Sequence, residues 1–360
     1  MGHFSSMFNG LATSLSMKKA QSHGAGAGEL ILETSGFVSV EGSNNFTSVF
    51  SRRGEKGVNQ DSCIVWEGFG CGEEDDRIFC GIFDGHGPWG HYVAKRVKKT
   101  IALSLLSNWQ ETLAAESSSL SSSIDDSEKR VCNFNIWKQS YIKTFAAIDL
   151  DLKSHKKIDT FNSGTTGLTI VRQGEEIFIA NVGDSRAVLG SISDDGRLIG
   201  VQLTLDFKPH LIEETERIIE CNGRVFCLDD EPGVHRVWRP DIESPGLAMS
   251  RAFGDFSIKE FGLISLPQVI QRRITINDQF IILATDGVWD VVSNQEAVEI
   301  VSSTADKSKA AKRLTKFAAN AWKRKRRGFA VDDISAICVF LHSSSTSAIS
   351  TLSSHLVHPV

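Results

Sequence analysis

Apolar positions along the chain follow two periods. Alternating or short continuous apolar runs bounded by glycine and aspartate mark strands in "SGTTGLTIVR", "EEIFIANVGDSRAVLG" and "DQFIILATDG". The last of these reads as buried on both faces. The stretch "EEIFIANVGDSRAVLG" (175–190) reads as a strand, a Gly-Asp-Ser turn and a second strand, hence a hairpin. Helical spacing of Val93, Val97, Ile101 and Leu105 predicts one helix, and that of Trp137, Tyr141, Phe145, Ile148 and Leu152 a second. The capping box "SNQE" at Ser293 opens a third, ahead of Ala297, Ile300 and Val301. A fourth covers about 308–322, with Ala311, Leu314, Ala318 and Trp322 on one side. Trp109, Trp137 and Trp322 fall on such stripes and read as core. Strands thus come mainly in antiparallel runs with helices grouped between them, which predicts an α+β layered domain, not a βαβ alternation.

Polar tracts set the boundaries. Residues 1–49, rich in Ser, Gly and Asn, read as a mobile tail, and 343–360 as a Ser-rich tail. "ESSSLSSSIDDSEKR" (116–130) reads as a surface loop inside one domain spanning 50–342, and no internal repeat is present. "EPGVHRVWRPDIESPG" (231–246) has three prolines and no periodicity, so a loop is expected, with Trp238 packed into it as a flap beside a cleft.

Composition narrows the class. A hydrophobic share of 41% and a charged share of 23% are those of a globular protein with a proper core. A net charge of −5 gives no electrostatic case for nucleic acid as the main partner. Seven cysteines without a C-x-x-C pair argue against a disulfide framework and a zinc site, so an intracellular, cytoplasmic setting is expected. Met1-Gly2 with Ser6 has the spacing of an N-myristoylation site, set against a plain Ser/Gly-rich tail. One acyl chain, helped at most by Lys18 and Lys19, gives only weak membrane contact. "KRKRR" (323–327) reads as a solvated helix end, with nuclear import as the alternative. Kinase signatures are missing, and "GAGAGE" has neither the third glycine nor the preceding strand of a nucleotide loop.

The chemistry lies in aspartates. Four apolar runs end in them: "FCGIFDGHG" at Asp84, "FIANVGDSR" at Asp184, "IILATDGVWD" at Asp286 and Asp290, and "GFAVDDISAICVFL" at Asp332 and Asp333. Asp61 begins another strand in "GVNQDSCIVW". Any one of them alone reads as a turn residue. Together they suggest carboxylates that converge and repel unless cations compensate them. Oxygen ligands without His or Cys select Mg²⁺ or Mn²⁺, and two such ions suit phosphoester hydrolysis. Monoester hydrolysis needs acceleration of up to ~10²¹, whereas a positioned acid or base supplies roughly 10²–10⁴. One Asp and one His cannot cover that gap. In this reading Asp84 holds metal, Gly85 brings a bare carbonyl close, and His86 protonates the leaving oxygen; the plain alternative is a histidine satisfied in a turn.

"DGHG", "SGTTGLTIV", "NVGDSRAVL", "LAMSRAFGDF", "ATDGVWDVVSNQEAV" and "DDISAICVFL" occur in the order found in type 2C protein phosphatases, the metal-dependent Ser/Thr phosphatases. The resemblance covers about 50–342 and is nearest to plant members through "KGVNQD", "DEPGVHRVWRPDIESPGLAM" and "DQFIILATDGVWDVVSN". It implies a four-layer α/β/β/α sandwich with two stacked antiparallel sheets and a metal cleft at one edge. It further implies that Asp84 bridges two Mg²⁺ or Mn²⁺ ions, Gly85 gives its carbonyl to one, Asp286 and Asp332 bind the other, and Asp61 acts through water. Asp184, Asp286 and Asp290 match a weaker third metal site, and His86 the general acid. Asp332, not Asp333, takes the ligand place. Phosphorylated proteins are the implied substrates, kinases further partners, and a monomer the implied state.

Three positions depart from the family. Gln60 stands where Glu often precedes the first Asp, and Lys56 where an Arg often grips the substrate phosphate. Lys offers a point charge without bidentate geometry. Phe207 in "DFKP" stands where His is common. Gln60 and Lys56 motivate a rival, a catalytically silent scaffold; a hydrolase of small phosphoesters is the other.

Overall fold

A computed structural model describes residues 37–38, 47–70, 77–117, 126–242, 246–326 and 328–342. The two expected tails, apart from the residues just given, and the Gly2 motif lie outside the described residues. In chain order the first strands are β1 (Phe37–Val38), β2 (Thr47–Arg52), β3 (Ser62–Glu67), β4 (Ile78–Phe83) and β5 (Gly85–His86). Two long helices follow, α1 (Gly90–Ser117) and α2 (Asp126–Ser154). The middle of the chain forms β6 (Gly164–Thr165), β7 (Gly167–Gln173), β8 (Glu176–Val182), β9 (Arg186–Ile192), β10 (Leu198–Gln202) and α3 (Ile212–Glu220). Next come β11 (Arg224–Phe226), β12 (Arg236–Trp238), β13 (Phe253–Gly254), α4 (Phe256–Lys259), β14 (Gln268–Arg273) and β15 (Asp278–Ala284). Helices α5 (Asp286–Trp289), α6 (Asn294–Ser302) and α7 (Ala310–Lys325) precede the last strand, β16 (Ile334–Phe340).

Two sheets carry the core, one of six strands in the order β1-β3-β4-β7-β8-β14 and one of five in the order β10-β9-β15-β16-β2. All pairings in them are antiparallel except β1 with β3. Their side chains alternate between two apolar layers, as a strand's period of two requires. Ile78, Cys80 and Ile82 of β4 meet Ile281 and Leu283 of β15 and Ile337 and Val339 of β16 between the sheets. Phe79 and Phe83 point the other way, under Val93, Val97 and Ile101 of α1 and Tyr141 and Phe145 of α2. On the far side Phe280, Ile282 and Ala284 pack with Leu314, Ala318 and Trp322 of α7. The order helix, sheet, sheet, helix is the four-layer α+β sandwich expected.

The helical stripes are core: Trp137 is fully buried and stacks between Trp109 at 5.2 Å and Phe178 at 5.4 Å. The capping box is formed, with Ser293 Oγ accepting from Glu296 N at 3.2 Å and Glu296 Oε2 accepting from Ser293 N at 2.8 Å. Lys323, Arg324, Lys325 and Arg326 are exposed at the end of α7, where the helix dipole favours cations. Among the described residues, no helix is long and apolar enough to cross a membrane.

Three expectations need correction. The stretch 175–190 is not a hairpin: β8 pairs with β7 and β14, while β9 belongs to the other sheet. Gly183-Asp184-Ser185 carries the chain across, and strands buried on both faces look alike in a hairpin and in such a crossing. The actual hairpin is β7–β8, closed by the two residues Gly174 and Glu175. The tract 116–130 is not all loop, since α1 runs to Ser117 and α2 starts at Asp126; acidic residues favour a helix opening even in a serine-rich tract. Residues 231–246 contain β12, paired with β11, because the prolines flank residues 236–238 without interrupting them. Trp238 is packed as expected, stacked on Phe226 at 5.0 Å and donating its indole N–H to the Phe226 carbonyl at 3.0 Å.

Candidate active site

Strand β4 is buried along its whole length and delivers Asp84 at its exit. Two threonines of "SGTTG" fix that exit. Thr165 Oγ1 and Thr166 N donate to the Asp84 carbonyl, each at 2.9 Å, while Thr166 Oγ1 accepts from Asp84 N at 2.9 Å. The next residue, Gly85, has no room for a side chain: a Cβ there would lie 2.5 Å from the Gly90 carbonyl oxygen and 2.8 Å from that of Gln60. Burial raises the Asp84 carboxyl well above its ordinary range, and repulsion from Asp61, Asp286, Asp332 and Asp184 raises it further.

The other aspartates arrive from both sheets. Asp61 stands just before β3, with Oδ2 accepting from Thr285 Oγ1 at 3.1 Å. Its Oδ1 is buried without a hydrogen-bond partner. Burial pushes the Asp61 carboxyl up to about 7; repulsion by Asp333 and Asp332 adds to this, and hydrogen bonds from Ser335 and Thr285 oppose it. Asp286 opens α5 at the end of β15 and is raised well above the usual range by burial, then by Asp184, Asp332 and Asp290. Asp290, at the other end of α5, is raised by burial against the pull of Lys208 and Arg326. Asp184 lies in the crossing between the sheets, its Oδ2 paired with Lys208 Nζ and its Oδ1 buried without a partner. Asp332 precedes β16, with Oδ2 2.5 Å from Lys56 Nζ.

Asp333 does different work. Its Oδ1 accepts from Gly54 N and its Oδ2 from Gln60 N, both at 2.8 Å, which straps the Lys56 segment to β16. Gln60 also donates from Nε2 to the Gly87 carbonyl at 3.1 Å. His86, in β5, has its Nε2 2.6 Å from Asp255 Oδ2. Burial works to lower the His86 pKa, but the charge and hydrogen bond of Asp255 outweigh it and leave it raised.

The fold thus gathers Asp61, Asp84, Asp184, Asp286, Asp290 and Asp332 from distant parts of the sequence into mutual electrostatic range. Their oxygens, two of them buried and unpartnered, suit hard divalent cations. As positioned, no three of the acidic, imidazole or thiol groups among the described residues close tightly enough to hold an ion. Lys56 and Lys208 reach in among the carboxylates, and both have raised pKa values despite burial, Lys56 through Asp332 and Lys208 through Asp184 and Asp286. Sequence reasoning missed Lys208, Asp255 and the anchoring Thr165 and Thr166. The "SGTTG" threonines could have signalled themselves; the other two depend on contacts formed only on folding.

This gathering of acids beside the strand ends of two stacked sheets, flanked by helices, is the arrangement of a phosphatase fold. Residues 48–325 match the family model Protein phosphatase 2C, and the chain belongs to that family of metal-dependent protein serine/threonine phosphatases. It is 62% identical over 360 residues to probable protein phosphatase 2C 73 of Arabidopsis thaliana, with 96% of each chain covered. To probable protein phosphatase 2C 48 of Oryza sativa subsp. japonica it is 56% identical over 357 residues, covering 95% of this chain and 99% of that one. Among solved structures, the serine-threonine phosphatase 2C of Toxoplasma gondii shares the fold, with a TM-score of 0.71 at 24% identity over 82% of this chain and 94% of that one.

Proposed function

We propose that this chain hydrolyses phosphoserine and phosphothreonine in proteins, in a site built by Asp61, Asp84, Gly85, Asp286 and Asp332 around two Mg²⁺ or Mn²⁺ ions. The observation that carries the reading is the buried, mutually repelling carboxylate set. Cations held there would supply an activated water and neutralise the charge growing on the phosphoryl oxygens. Asp184, Asp286 and Asp290 would hold a weaker third ion, for which Asp184 must release Lys208. Lys56, 56% exposed at its side chain, can turn from Asp332 to a phosphate oxygen as a point charge. His86 protonates the leaving oxygen: the bond from phosphorus to the seryl or threonyl oxygen breaks, its electron pair stays on that oxygen, and a proton from the ring completes the alcohol. A new bond from phosphorus to the water oxygen replaces it.

A monomer acting on phosphorylated proteins, kinases among its partners, is the simplest setting; the active domain is residues 50–342, extended by the described β2 to Thr47. The rival, a silent scaffold, draws on Gln60 and Lys56. The Gln60 side-chain oxygen is buried without a partner, so the missing negative charge is a real departure. Turnover of a phosphopeptide with Mn²⁺ tests both readings. Activity surviving excess chelator, or intact in Asp84→Asn, refutes the first; absence of turnover at any Mn²⁺ concentration supports the second. A preference for small phosphometabolites over phosphopeptides points to the third possibility.

A further inference from the structure

The geometry points to Asp255 as the residue that positions His86, acting across Gly164. The inference rests on the reading of His86 as proton donor.

Strands β13, β6 and β5 form a small sheet in that order, with β6 in the middle. Its register puts His86 opposite Gly164, and Gly164 opposite Gly254, so one row of residues crosses all three strands. Strands lie about 4.8 Å apart, so the outer two are roughly 10 Å apart. A side chain following Gly254 can reach His86 only over a bare middle strand. Gly164 provides that: a Cβ there would sit 2.0 Å from Asp255 Oδ2 and 2.4 Å from the Phe253 carbonyl oxygen. The carboxylate occupies the space a side chain at 164 would take, and from it meets His86 Nε2 at 2.6 Å.

The backbone at Asp255 sits in the left-handed region, with φ 52° and ψ 46°, which Asp adopts as a single residue when its surroundings hold it. Its surroundings over-determine the conformation. Asp255 N donates to the Ser163 carbonyl at 3.0 Å, and its own carbonyl accepts from Ile258 N at 2.9 Å. Asp149 of α2 grips both sides of the bend, accepting from Gly254 N at 2.9 Å and pairing with Lys259 Nζ at 2.8 Å. These contacts hold the bend, and with it the carboxylate, in one place. The side chain is 5% exposed, and its contact with His86 fixes the ring's plane and places a hydrogen on Nε2, because a carboxylate accepts. The other ring nitrogen, Nδ1, is buried without a partner and is the atom left for the leaving oxygen. In the step, Nδ1 gives its proton to that oxygen as the phosphorus–oxygen bond breaks. Nε2 keeps its hydrogen on Asp255, and the water consumed restores the ring proton.

The experiment compares a phosphoserine peptide, whose alkoxide leaves poorly without a proton, with p-nitrophenyl phosphate, whose leaving group departs readily. Asn tolerates the left-handed region, so Asp255→Asn keeps the backbone. The expected result is a kcat on the peptide lower by roughly 10- to 100-fold, within what a positioned acid contributes. The loss on p-nitrophenyl phosphate is at least about tenfold smaller, with KM and Mn²⁺ affinity within about twofold of wild type. In a His86→Ala background the same substitution costs less than about twofold more, the non-additivity of two residues acting as one unit. Gly164→Ala, which keeps both side chains but displaces the carboxylate, loses peptide turnover selectively in the same way. Equal losses on both substrates, or additive losses in the double variant, overturn the inference while leaving the phosphatase reading intact. A wild type without metal-dependent turnover overturns both.

Discussion

Glu214→Gln should cost about 3 kcal/mol of folding stability. Glu214 sits in α3 with its side chain 2% exposed, and both its oxygens are taken. Arg217 donates to it twice, at 2.8 and 2.7 Å, Arg251 from Nη2 at 2.7 Å, and Ser250 Oγ at 2.6 Å. Arg251 also lies over the Phe207 ring at 3.9 Å, so this one carboxylate ties α3 to the "LAMSRAFGDF" segment that carries Asp255. Burial alone would raise the Glu214 pKa; the hydrogen bonds from Arg217, Arg251 and Ser250 reverse that and hold it at about 2, against an ordinary 4.5. That difference corresponds to about 3 kcal/mol, in line with the 3–5 kcal/mol typical of removing one partner of a buried ion pair. For a domain of this size it is a fall in Tm of about 6 °C. Scanning calorimetry in excess chelator measures it without interference from cation binding. Because the folded-state pKa is depressed, the contribution is complete above pH 4.5 and is lost as the pH falls towards 2. The gap between wild type and variant should therefore narrow on acidification. A change in Tm below about 1 °C at pH 7, or a gap that widens in acid, would refute the reasoning.

Three other outcomes follow from the same physics. Asp84→Asn removes one of several repelling buried charges, so the chelator-treated variant should melt above wild type, lose the Mn²⁺-induced rise in Tm and lose turnover. Lys208→Met takes a cation from beside Asp184, so it should lower the metal-free Tm and make Tm depend more steeply on Mn²⁺; an unchanged Mn²⁺ titration would count against a compensating role. Ser293→Ala breaks the capping box of α6 and should cost about 1 kcal/mol by urea unfolding, with no effect on turnover.

The acids of the candidate site were legible because most stand beside an apolar run, Asp84, Asp184 and Asp286 after a buried strand and Asp61 and Asp332 before one, and charge at either end of such a strand is visible without a fold. The fold class followed from two clean periods. What escaped was whatever depends on which strands become neighbours. Asp184 was recognised, but the turn around it passes from one sheet to the other, and nothing in an apolar alternation says so. Asp255 and Gly164 lie far apart in sequence and acquire meaning only through the register of a three-stranded sheet. Lys208 looked like an ordinary loop lysine until Asp184 was placed against it. Asp332 and Asp333 are adjacent and chemically identical, and the structure separates them: one pairs with Lys56, the other is saturated by backbone amides.

The position of β16 has a consequence for how the molecule is made. Among the described strands, β2 sits at the rim of its sheet with β16 as its sole neighbour, although almost the whole domain separates the two in sequence. At ribosomal speeds of about 5–20 residues per second, β2 waits roughly 15–60 s for that neighbour to be synthesised. Until then its amides are open to unwanted pairing, and Asp332, translated just ahead of β16, has yet to join the other carboxylates. A nascent chain is therefore both vulnerable and inert until its closing strand emerges.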